Sequence, residues 1–109
     1  MKIEDVPFCR VDWQSLEPAV HNGISGEAYW RTFEQGNVRA RLVEYTPGYL
    51  ADHWCKRGHV MFVLEGELNT ELDDGRIFTM RAGSGYVVAD DINPHRSSTP
   101  TGVKLFIVD

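Results

Sequence analysis

His53-Trp54-Cys55-Lys56-Arg57-Gly58-His59-Val60-Met61-Phe62-Val63-Leu64-Glu65-Gly66 is the stretch on which the fold turns. Val60 to Leu64 is an unbroken apolar run. It is too short for a helix of its own and is punctuated by Glu65-Gly66, so it reads as a strand covered on both faces. Ahead of it, His53 and Cys55 stand two residues apart, and residues two apart on a strand face the same side. Trp54, between them, then faces away. His59 follows at another even offset, across a Lys56-Arg57-Gly58 interval that bends.

Working outward, the same grammar repeats. Glu27 to Phe33 is rich in aromatic residues, and Gly36-Asn37 marks a turn. Val38-Arg39-Ala40-Arg41-Leu42 alternates apolar with polar, the period of a half-buried strand, within a strand predicted to run on to Tyr45. Pro47-Gly48 turns the chain. Glu67 to Leu72 alternates again, Asp73-Asp74-Gly75 supplies a hairpin turn, and Arg76 to Met80 returns. Ala82-Gly83-Ser84-Gly85 turns once more, ahead of strands over Tyr86 to Ala89 and Val103 to Val108. Short strands at this spacing, with no stretch fit for a long helix, predict an all-β sandwich or barrel. Residues 25–109 form that unit. Residues 1–24 carry Pro7, Pro18 and Gly23 as breakers, with one short helical turn over Asp12 to Leu16, and are expected to pack on the barrel or on a dimer partner.

A chain of 109 residues is one domain, and 42% hydrophobic residues suffice for one core. At this length only about two-thirds of the unfolded surface is buried, so a homodimer is expected. A formal charge of −5, with basic residues scattered among acids, argues against nucleic acid as a partner. No apolar run approaches a membrane span. Acids stand where a signal peptide would be apolar, so a cytoplasmic protein is expected. Two cysteines, Cys9 and Cys55, are too few for a disulfide scaffold.

His53, Cys55, His59 and His95 are the residues that carry chemistry. Singly, each has a plain reading, a packed or solvated histidine or a small buried thiol. Together they form a donor set in which one ribbon supplies three ligands and a distant segment closes with the fourth. Imidazole and thiolate suit zinc, Fe(II), nickel or copper rather than the oxygen-seeking magnesium or calcium.

His53-x-Cys55-x3-His59-x6-Gly66 resembles the first signature of the cupins, G-x5-H-x-H-x3,4-E-x6-G. His53 matches the first histidine, Cys55 takes the place of the second, His59 that of the glutamate, and Gly66 the closing glycine. Gly48 matches the opening glycine with one residue fewer between. The segment beginning Asp52-His53 resembles small cupins with a cysteine in this motif. The second signature, G-x5-P-x-G-x2-H-x3-N, is degraded. Gly85 fits one residue short, Asp90 stands for Pro, Ile92 for the second Gly and Thr99 for Asn, while His95 keeps the ligand. The resemblance implies a double-stranded β-helix, a jelly-roll-like barrel, holding a metal on these four residues. Exchanging His for Cys and Glu for His makes the donor set softer, pointing first to zinc.

Two functions follow from that resemblance. One is a metal-dependent enzyme on a small organic molecule. The other is a non-catalytic metal- or ligand-binding module with a closed structural zinc. Glu44, Glu65 and Glu67 are candidate acids, and Asp52 a candidate hydrogen-bond partner for a ligand imidazole. Met61, Phe62, Tyr86, Trp30 and Phe106 are read as core or pocket lining, and His21 as solvated.

Overall fold

Alternation and turn chemistry resolve, in a computed structural model that describes all 109 residues, into eight strands and one 3₁₀ turn at Trp13–Ser15. The strands are β1 (Ala19–Asn22), β2 (Glu27–Gln35), β3 (Val38–Tyr45), β4 (His59–Leu72), β5 (Ile77–Arg81), β6 (Gly85–Val88), β7 (His95–Ser98) and β8 (Val103–Val108). All pairings are antiparallel. One sheet runs β1-β2-β3-β8-β4-β6, and the second runs β5-β4-β7, so β4 belongs to both. The expected all-β barrel is present. Its interior is filled by Ala28, Val43, Val63, Leu68 and Leu105, which lose essentially all contact with solvent. Each of the valine and leucine side chains contributes about 1.5–3 kcal/mol by burial.

The two strands expected at Val60 to Leu64 and Glu67 to Leu72 are one continuous strand. Its pairing with β8 slips between Val63 and Glu65, and Gly66 sits at φ +84°. A side chain at Gly66 would collide with the carbonyl of Gly102. The strand changes sheets here, so the glycine marks a bend within a strand rather than its end.

The apolar run is not covered on both faces. His59, Met61 and Val63 point inward, whereas Val60, Phe62 and Leu64 lie on an outer face left open to solvent. No helix packs there, so a continuous apolar run does not imply two covered faces. Leu50 bridges Ser25 on one side and Ser98 on the other, tying the segment before His53 into the wall beside β7.

The N-terminal stretch holds more structure than its breakers predict. The 3₁₀ turn falls where expected, and Ala19–Asn22 adds a strand to β2 that periodicity missed, because all four residues remain exposed. Further upstream, Asn37 accepts from Glu4 N and donates to Lys2 O, pinning the chain across the Gly36 turn.

Candidate metal centre and cavity

Cys55 and His95 are placed by backbone alone. Each donates its N–H to the other's carbonyl, at 2.7 and 3.0 Å, forming an isolated antiparallel bridge that sets their side chains beside one another. His59 opens β4 and points into the barrel toward them. The donor atoms of Cys55, His59 and His95 all lie within 4.8 Å of one another, and both histidines are buried. His59 Nε2 stands 3.2 Å from His95 Nε2 and 3.0 Å from the Tyr86 hydroxyl.

One of these ring nitrogens is assigned by its partner. His95 Nδ1–H donates to the carbonyl of Asn93 at 3.1 Å, so in the neutral ring it is Nε2 that carries the lone pair. His59 Nε2 lies within hydrogen-bonding distance of both the Tyr86 hydroxyl and His95 Nε2. Nitrogens this close are bridged either by an N–H of one ring donating to the other or by a cation held on both. Nitrogens bonded to one tetrahedral zinc are separated by about 3.3 Å, given Zn–N near ~2.0–2.1 Å. The observed separation and the Cys/His₂ donor set therefore fit such an ion.

Protonation favours the same use. Burial, with the neighbouring His95 charge, pushes His59 down to about 4, so its ring is neutral at physiological pH. The Cys55 thiol is lowered, chiefly by its hydrogen bond with His95. Burial works against the His95 cation, but the bonds to Cys55 and to the Asn93 carbonyl outweigh it and raise its pKa. The thiol is thus readied to ionise beside an imidazolium.

His53 is not in this cluster. The chain bends at Asp52–His53, which breaks the strand parity expected to align His53 with Cys55. Its side chain is 69% exposed, and Nδ1 contacts Asp52 Oδ1 at 2.7 Å, the anticipated partner. His53 still lines the same cavity. Trp54 turns outward, under the Arg96 guanidinium.

The degraded second signature is rebuilt with other residues. Asp91 and Asn93 take the positive φ angles, 60° and 51°, that the β6–β7 turn requires, and both types tolerate them. Thr99, in the place of the Asn, donates to Glu67 O at 2.6 Å and accepts from Gly102 N.

The cavity in front of the triad has a volume of about 260 Å³. Met61, Tyr86 and Trp30 line it, as expected. Phe62 instead lies on the outer face, and Phe106 packs edge-on against Trp13 at 5.3 Å. Glu44 and Glu65 border a different surface depression, with Lys104. Glu67 instead faces Arg81 at 3.6 Å, and none of the three lines the cavity. His21 is exposed but its ring lies 4.1 Å from that of Trp30.

Sequence reading missed the cationic wall. Arg39 and Arg41 face the interior, on the same side of β3 as Val43 and Tyr45. Asp109 binds Arg39 through two bonds of 2.8 and 3.0 Å and Arg41 through one of 2.9 Å, with Arg57 at 3.7 Å. Burial raises the Asp109 carboxyl, but the guanidiniums prevail and hold it below the usual carboxylate range. The alternation over 38–42 was the available signal. It fixed the period but not which face was inward.

No family model and no curated protein matches the sequence. Solved structures do match the fold. An RmlC-like cupin from Shewanella frigidimarina is 22% identical over 90% of this chain and 86% of its own, with a TM-score of 0.72. The polyketide cyclase RemF from Streptomyces resistomycificus is 20% identical, covering 94% of this chain and 78% of its own, at 0.78. A predicted oxalate decarboxylase from Thermotoga maritima is 15% identical, covering 92% and 96%, at 0.74. The eight-stranded antiparallel architecture of this chain thus matches that of these cupin structures along nearly its whole length, and its fold is that of a small cupin.

Proposed function

We propose that the protein is a metal-dependent enzyme acting on a small organic molecule, with one divalent ion, zinc first among the candidates and Fe(II) or nickel behind it, on Cys55, His59 and His95. The observation that carries this reading is the pair of imidazole Nε2 atoms facing each other 3.2 Å apart, beside a thiol, at the base of an open cavity. Three protein donors with room for another ligand is the pattern of catalytic rather than structural zinc. Such an ion supplies a Lewis acid or an activated water. The chain's own residues hold and orient: the Asn93 carbonyl fixes His95, and the Tyr86 hydroxyl holds His59.

His53 is the proposed fourth donor. Its Nδ1 is engaged by Asp52, which leaves Nε2 free, the arrangement by which a carboxylate orients a metal-binding imidazole. If His53 completes a closed tetrahedron, the non-catalytic zinc module becomes the better reading. Elemental analysis of natively purified protein tests both. One equivalent of a transition metal is expected in the wild type and less than about a tenth in Cys55→Ala and His95→Ala. Full retention in His53→Ala supports an open coordination position, and loss of metal in that variant supports the closed site. A wild type that neither carries nor takes up a transition metal overturns the assignment.

The cytoplasm is the proposed compartment, since both Cys9 and Cys55 are free thiols. The chain contains no helix long and apolar enough to cross a membrane. A homodimer through the open outer face of the larger sheet is the proposed assembly.

A further inference from the structure

The cavity wall includes residues that the metal reading does not use. Arg41 is 5% exposed and lines the wall. Its guanidinium lies over the Trp30 ring, 4.5 Å from the centroid. A guanidinium offers five N–H donors, yet Arg41 makes a single hydrogen bond, Nη2 to Asp109, and its buried Nε has no partner. Burying a cation costs several kcal/mol per ion unless it is paired and its donors are met. Asp109 does not settle that account, because Arg39 already takes both of its oxygens and Arg57 approaches at 3.7 Å. Glu34 lies near Arg39 and Arg57 but does not line the cavity, so on the cavity side Arg41 has only its share of Asp109. As a brace for Asp109, Arg39 alone is sufficient. Arg41, buried in the wall of a cavity with most of its donors unused, has the charge and the hydrogen-bonding capacity to hold an anion.

We propose that this wall is a carboxylate subsite and that the ligand is a small organic acid. Its carboxylate sits on Arg41, with the half-exposed Arg57 reaching in from the rim and the Trp30 face alongside. The rest of the molecule then extends toward Cys55, His59 and His95. The planar fork of arginine matches a carboxylate in geometry as well as charge. The 260 Å³ cavity falls below the roughly 300–1,000 Å³ of sites for drug-sized ligands, which limits the acid to a small one. The inference rests on the reading of the cavity as a substrate site, and it adds the substrate's chemical class.

Binding of propionate, malonate and benzoate, measured by calorimetry and by Trp30 fluorescence with Trp30→Phe as reference, tests it on both metal-free and zinc-loaded protein. Propionamide serves as the neutral isostere and inorganic phosphate as the competing anion. Carboxylates are expected to bind both forms. Losing one charge-assisted contact should weaken them about ten- to a hundredfold in Arg41→Gln and less in Arg57→Gln. If Arg41→Gln fails to fold, Arg57→Gln and Trp30→Phe decide, and unchanged carboxylate affinity in both overturns the subsite. Equal binding of propionamide, tighter binding of phosphate, or no binding of any acid to folded wild type also overturns it. Carboxylate binding only to zinc-loaded protein, indifferent to Arg41 and Arg57, overturns the subsite while leaving the metal centre standing. Arginine-dependent binding by a protein that never takes up metal leaves the subsite standing without the metal centre.

Discussion

His59 and His95 carry opposite shifts for reasons set a few ångströms apart. His59 is buried with Nδ1 unpartnered, Asp109 being 3.7 Å away, and its pKa falls to about 4. His95 gains a thiol partner and a carbonyl, and its pKa rises. In metal-free protein the depressed His59 contributes stability that is complete above its unfolded value, near ~6.5, and is lost as pH falls through about 4. The raised His95 has the opposite sign, adding stability below ~6.5 that fades as pH rises. Comparing wild type with His59→Gln isolates the first effect. Denaturant unfolding should show the stability difference between them moving against wild type by up to about 3 kcal/mol from pH 7 to pH 4. A difference that stays flat across that interval removes the depressed pKa. Of the site, the sequence made Cys55, His59 and His95 legible through spacing and motif frame. It did not reveal that the bend at Asp52–His53 carries His53 out of the cluster, since a local break in strand parity leaves no mark on composition. Arg41 was hidden for a different reason: alternation gives a period, and only the tertiary closure decides which phase is inside.

At the scale of elements, turn chemistry was the more legible part. Gly36, Gly75 and Gly83 fall at positive φ where turns were expected. Gly66 was read as a strand end, but β4 continues through it, because a strand that serves two sheets must bend without breaking its ladder. The distinction is measurable. Gly48 and Gly66 have nearly the same φ, +82° and +84°, but a side chain at Gly48 meets nothing, whereas one at Gly66 meets the Gly102 carbonyl. Left-handed strain alone costs about 1–2 kcal/mol for a non-glycine residue. Gly48→Ala should therefore cost about that much in urea unfolding. Gly66→Ala should cost at least about 2 kcal/mol more, since the Gly102 backbone must also shift to admit the methyl. Equal losses at the two positions place the β4 bend outside the determinants of the fold. Strand β1 was illegible for lack of signal, since four exposed residues have no buried face to impose a period.

For the whole molecule, the open face of the larger sheet is the outstanding feature. Cross-strand register lays Phe106 beside both Leu42 and Phe62, and Val60 beside both Val87 and Val108. Phe62 and Val60 are close to half exposed and Val87 is 77% exposed. Trp13 covers Phe106, but Val60, Phe62 and Leu64 of β4 and Val87 of β6 stay exposed side by side, a patch of the kind that marks interaction sites. Beside it stands the pair Lys104–Glu65, 3.7 Å apart, whose opposite charges can be exchanged between copies. Those properties suit an isologous contact, in which the same patch meets itself about a twofold axis. A net charge of −5 opposes association at low ionic strength, so apolar burial must overcome it. Phe62 lies near the middle of the patch and points away from the core, so Phe62→Glu leaves the barrel interior untouched while placing two like charges across the axis. Sedimentation velocity should show the wild type as a dimer and Phe62→Glu as a monomer with an unchanged circular dichroism spectrum. Added salt should tighten the wild-type dimer by screening its net charge. A wild type that sediments as a monomer at every accessible concentration removes the second copy from this face.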